Sequence, residues 1–149
     1  MNLNQLYSEI ILEHSQKSPN KKKIDGANIE EKGHNPLCGD VITLYIKTDG
    51  DIITDASFTG QGCAISQAST SMLIDLIRGK KIDEAKKLVQ EFTDMIYKKD
   101  VDLDDLGDAQ ALAGVSDFPA RVKCALLPWK TLEEAVDEKQ EKNNKDEDK

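Results

Sequence analysis

The sequence has no apolar stretch near the roughly 18 residues a membrane-spanning helix needs, and no run at its start resembles a signal peptide. A membrane or secreted protein is therefore not expected, and the cytoplasm is the expected compartment. Cysteine is scarce. Three thiols cannot all pair within one chain, so a disulfide framework is not expected either. Basic charge is also short: 20 Lys and Arg stand against 28 Asp and Glu, and the formal net charge of -8 repels a nucleic-acid backbone. Apart from Lys21-Lys22-Lys23, the lysines are interleaved with acids. Neither nucleic acid nor a membrane is expected as a partner. What remains is a chain of 149 residues, 38% hydrophobic, suited to one core that buries about 70% of its unfolded surface.

Its chemistry centres on Asn35-Pro36-Leu37-Cys38-Gly39-Asp40, which sets a thiol and a carboxylate two positions apart in a turn between extended segments. The other thiols are Cys63, after Thr59-Gly60-Gln61-Gly62, and Cys124, in Arg121-Val122-Lys123-Cys124-Ala125. Three thiolates and a carboxylate supply four donors, the number tetrahedral zinc takes, and soft sulfur favours zinc or an iron-sulfur centre over magnesium or calcium.

The elements around these residues follow from periodicity. Residues 3 to 16 carry Leu3, Leu6, Ile10 and Ile11 at helical spacing and predict an amphipathic helix that packs on a sheet. His14, late in it, is read as packed or hydrogen-bonded, with ligand or acid-base duty as the alternative. Ser18-Pro19-Asn20 ends the helix, and the lysines after it read as a solvated loop. Residues 28 to 34 are weakly strand-like, whereas Val41 to Thr48 and Ile52 to Thr59 are clear strands joined by Asp49-Gly50, a type I′ hairpin signal. The mouth of that hairpin brings Cys38, Asp40 and Cys63 together.

Cys63 should open a helix carrying Ile65, Ala68, Met72 and Leu76 and capped by Gly79, where the helix dipole favours a thiolate. As an alternative, Cys63 packs as a small hydrophobe. A second helix spans Ile82 to Tyr97. Asp100, Asp102, Asp104, Asp105 and Asp108 lack the closing glutamate of a calcium loop and read as a solvated, helix-capping linker. Ala109 to Ala113 predicts a short helix ending at Gly114, Phe118-Pro119 opens another, and Pro128 starts a last one that buries Trp129, Leu132 and Val136. Arg121 lies three residues before Cys124, which places guanidinium and thiol on one helix face; a surface salt bridge is its other reading. The fold class expected is α+β: a small antiparallel sheet of two to three strands against several helices, with a metal site at one end. Residues 1–136 form one domain in this reading, and 137–149 a charged, disordered tail.

Taken in order, the Cys38 motif, Gly60-Gln61-Gly62-Cys63 and Phe118-Pro119-Ala120-Arg121-Val122-Lys123-Cys124-Ala125 resemble the U-type iron-sulfur cluster assembly proteins, the IscU/NifU/SufU superfamily, over nearly the whole chain to Val136. The SufU branch is the nearer match. Lys123 stands where the scaffold branch has a histidine, Phe118-Pro119-Ala120-Arg121-Val122 replaces the chaperone-read Leu-Pro-Pro-Val-Lys, and Lys80 to Val115 lengthens the path between the second and third cysteines. The resemblance implies a zinc-dependent sulfurtransferase that accepts persulfide sulfur from a SufS-type cysteine desulfurase and passes it to downstream iron-sulfur assembly machinery. Zinc is held by Cys38, Asp40, Cys63 and Cys124, and a desulfurase histidine takes over a zinc position. Cys38, on its turn, is the expected acceptor, aided by Arg121. Two alternatives stay open: a scaffold holding a transient [2Fe-2S] cluster on the same donors, and a non-catalytic module in which zinc only staples the fold.

Overall fold

The structure, a computed structural model, describes residues 6–147, with side chains through residue 141. The three strands β1 (Ile29–Asn35), β2 (Asp40–Asp49) and β3 (Ile52–Gln61) form one antiparallel sheet in the order β1-β2-β3, so the expected α+β class stands. In β2 the alternation of apolar and polar residues turns Ile42, Leu44 and Ile46 into the core, and Ala56 and Phe58 of β3 join them there. The hairpin turn differs from expectation by one position. Asp49 pairs with Ile52, so Gly50 and Asp51 are the central residues, and Gly50 takes positive φ (62°) in the first of them, where a II′-type turn needs it. A bulge between Lys47 and Thr48 absorbs the extra residue.

Among the described residues, four α-helices have these bounds: α1 (Glu9–Gln16), α2 (Ala64–Ile77), α3 (Ile82–Ile96) and α4 (Pro119–Glu147). Helix α1 starts later than its apolar spacing predicts, because Ser8 is extended and occupies the N-cap; Leu3 lies outside the described residues. It packs on α2 and not on the sheet. His14 explains that choice: its Nδ1 lies 2.8 Å from Ser71 Oγ of α2 and its Nε2 3.0 Å from Asp108 Oδ2.

Two corrections concern the last third of the chain. The region expected as a linker and a short helix is 3-10 helical over Asp104–Asp117 in two pieces, broken at Gly107 (φ 49°, ψ -133°), and the second piece passes through Gly114. In the second piece the buried residues Ala109, Leu112 and Val115 recur every third position, the period at which 3-10 side chains eclipse, and Leu106 is buried from the first piece. Pro128, expected to start a helix, lies inside α4. A proline there has no N–H for the carbonyl of Cys124 four residues back, a cost of about 3 kcal/mol that burial of Trp129, Leu132 and Val136 at 0%, 0% and 1% exposure offsets. The Trp129 ring stacks on Phe92 of α3 at 4.0 Å and donates its Nε1–H to Ser69 Oγ of α2, fixing α4 across the core.

Past Val136, where the sequence suggests a charged tail, α4 continues over 137–147. Glu, Lys and Gln are good helix formers and need no apolar stripe to extend an established helix. Asp137 pairs with Lys86 of α3 at 2.8 Å, and Lys139 Nζ donates to Thr48 Oγ1 of β2 at 2.6 Å.

Candidate metal centre

The sheet end where β2 begins and β3 finishes carries the site. Asp40 is the first residue of β2 and is fully buried. Its Oδ1 accepts from Cys63 N–H at 2.9 Å and from Ser66 Oγ at 3.1 Å, and Asn35 Nδ2 donates to Oδ2 at 3.5 Å. Gly62 makes this approach possible: a Cβ there would overlap both Asp40 Oδ1 and Ser66 Oγ. The carboxylate therefore ties the hairpin mouth to the first turn of α2.

Cys38 sits on the β1–β2 turn, which Cys38 N–H closes onto Asn35 C=O and Gly39 continues at φ 68°. Its thiol is partly exposed, and its Sγ lies 3.1 Å from Sγ of the buried Cys124 on α4. Among the described residues, donor atoms of Cys38, Asp40 and Cys124 all fall within 4.8 Å of one another. Two thiolates on one tetrahedral zinc stand about 3.8 Å apart, so the sulfurs need to separate by less than about 1 Å to fit it. Buried soft donors beside a hydrogen-bonded carboxylate suit zinc.

Cys63 borders this trio without joining it. It is the N-cap of α2, and its Sγ accepts Ser66 N–H at 3.5 Å. Burial first, then hydrogen bonds with Cys38 and Asp40 and the charge of Cys63, push the Cys124 thiol far above its ordinary range. Without a metal, Cys124 is thus a neutral thiol, and a bound metal must displace its proton.

Arg121 stands where its spacing predicts, one turn before Cys124. The Tyr7 phenol, against opposing burial, and then the Cys63 and Cys124 thiols hold its guanidinium above its ordinary value. Tyr7 escaped the sequence reading because only the fold brings the start of the chain to α4. Lys123, in the scaffold branch's histidine position, is exposed and lines a hollow beside the Cys38 turn.

Residues 6–125 match the family described as NifU-like N terminal domain. The chain belongs to this family. Within it, the zinc-dependent sulfurtransferase SufU of Bacillus subtilis is 48% identical over 136 residues, covering 91% of this chain and 92% of that protein. The iron-sulfur cluster assembly scaffold protein IscU of Thermotoga maritima is 40% identical over 131 residues, covering 88% and 92%. A crystal structure described as a putative iron-sulfur cluster assembly scaffold protein for the SUF system, from Fervidobacterium islandicum, superposes with a TM-score of 0.86 at 44% identity, covering 91% of this chain and 99% of that one. Among the described residues, no helix is long and apolar enough to cross a membrane.

Proposed function

We propose that this NifU-like domain, spanning residues 1–136, is a zinc-dependent sulfur acceptor that takes persulfide sulfur from a cysteine desulfurase for iron-sulfur cluster assembly in the cytoplasm. The observation that carries the proposal is the unequal placement of the thiols. Cys124 is buried on a helix and the part-exposed Cys63 caps another, whereas Cys38, also part-exposed, lies on a turn of the same site. Cys38, Asp40 and Cys124 would hold zinc, with Cys63 as the fourth donor once its thiol leaves Ser66 N–H. Bound zinc keeps its cysteine ligands deprotonated at neutral pH.

In the transfer, the Cys38 thiolate attacks the terminal sulfur of the donor's persulfide. A new S–S bond forms on Cys38 as the donor's S–S bond breaks, the donor cysteine leaves as a thiolate, and the proton stays on the transferred sulfur; no net oxidation occurs. Arg121 offsets the anion left among the sulfurs, and Asp40, fixed by Cys63 N–H and Ser66, keeps the remaining donors in place as Cys38 swings. The 48% identity to a zinc-dependent sulfurtransferase supports this reading, as does an exposed lysine where a scaffold would place a further ligand.

Mass spectrometry after incubation with desulfurase and cysteine tests it. The added sulfur is expected on the peptide containing Cys38 and lost in Cys38→Ala, with Arg121→Ala loading more slowly at unchanged zinc content. Sulfur found only on Cys63 or Cys124 overturns the assignment.

A further inference from the structure

Beside the Cys38 turn lies a shallow groove of about 440 Å³ between that turn, the end of α3 and the outer face of α4. Pro36, Leu37, Tyr97, Leu126 and Leu127 supply its apolar lining. Leu37 is 77% exposed and Tyr97 58%, the two most exposed large hydrophobic side chains described, and they face the same hollow. Two large apolar side chains left in water side by side mark a contact surface more than a fold requirement. The charge around them reverses that of the whole chain. His34, Lys123 and Lys130 line the groove and no carboxylate does, in a protein with 28 acids against 20 bases.

We infer that this groove docks an acidic, apolar-tipped surface segment of the sulfur-donating enzyme, an inference that rests on the sulfur-acceptor reading above. Its occupant is defined by the lining: an aromatic or aliphatic side chain seated between Leu37 and Tyr97, flanked by carboxylates that meet Lys123 and Lys130. Position makes the contact productive. Leu37 adjoins Cys38 in the chain, so a segment held there brings the donor's persulfide alongside the acceptor thiol and can bias the turn on which Cys38 moves. Tyr97 comes from the stretch between the second and third cysteines, and so that lengthened stretch supplies part of the groove's lining and with it a basis for choosing the partner.

The test uses the zinc-loaded full chain and a purified cysteine desulfurase, reading the acceptor concentration for half-maximal stimulation, the affinity by calorimetry, and zinc content. Tyr97→Ser and Lys130→Glu are each expected to raise the half-maximal concentration and the Kd about tenfold with zinc content unchanged, whereas Lys80→Glu, on a distant face, matches wild type. Added salt should weaken wild type more than Lys130→Glu. Should Tyr97→Ser lose zinc, Lys130→Glu, an exposed charge reversal, decides alone. Wild-type coupling with both variants unchanged overturns the groove and leaves the acceptor reading standing. Variants that alter only self-association in sedimentation overturn it in favour of a second copy of the chain. Wild-type protein that neither binds nor stimulates the desulfurase overturns both.

Discussion

Asp40 shows how much one buried carboxylate is asked to do. It satisfies the orphan N–H of Cys63 at the start of α2, accepts from Ser66, and remains within reach of two thiols. Gly62→Ala should displace it: we expect at least about a tenfold loss of zinc affinity with helix content retained, read by competition with a chromophoric chelator and by circular dichroism. Wild-type affinity in that variant would refute the close approach. Cys124 gives a pH signature in the metal-free protein. Its thiol is raised in the folded state, so the fold holds that proton more tightly than the unfolded chain does. The stabilisation is complete below the ordinary thiol value of about 8.5 and is lost as pH rises beyond it. Denaturant midpoints of reduced, metal-free protein should fall from pH 8 to 10. Zinc or Cys124→Ala should flatten the trend, and a flat profile for the metal-free wild type would refute the burial argument.

At the scale of elements, α1 is held by few groups for its length. Ile11 is buried, Ile10 is 43% exposed, and His14 joins α1 to α2 and to the 3-10 segment. His14→Ala should lower stability by about 1–2 kcal/mol, most of it from the Ser71 side, because Asp108 is exposed and its ion pair is screened. Urea unfolding with zinc content as control measures this; an unchanged midpoint would show that α1 is held by apolar contacts alone.

For the whole molecule, a metal held by these donors would reinforce a junction that Asn35 and Cys38 already make with α4, through Cys124 Sγ and the Ala120 carbonyl. Cys38 and Asp40 belong to the hairpin mouth and Cys124 to α4, so a metal bridging them closes a loop of more than eighty residues. Removing zinc is expected to lower the melting temperature by well over about 5 °C, restored on re-addition, as measured by scanning calorimetry. No shift after confirmed removal would mean that the packing of Trp129 on Phe92 holds α4 without the metal's help.

The amino-acid sequence by itself determined what depends on neighbours along the chain. The period-two strands and their glycine turn, Cys63 at a helix start, and the spacing of Arg121 and Cys124 are all local, as is the apolar face of α2. The Cys38-Gly39-Asp40 motif is equally local, and it carries both the chemistry and the family. Ala109, Leu112 and Val115 recur every third residue, a step that also lies on an α-helical face, so their period does not separate the two helix types. Only the tertiary structure decided what depends on residues far apart. The choice of α2 as the seat of α1 follows from His14 meeting Ser71, and the helix past Val136 from Asp137 meeting Lys86 and Lys139 meeting Thr48. Pro128 sits inside α4 because the core rewards burial of Trp129 and Leu132 on the same helix as Cys124. Cys63 stands beside the trio as the N-cap of α2, its sulfur accepting from Ser66 N–H. The groove beside Cys38 exists because α3 ends with Tyr97 lining the same hollow as Leu37, sixty residues away in the chain, a meeting no local pattern encodes.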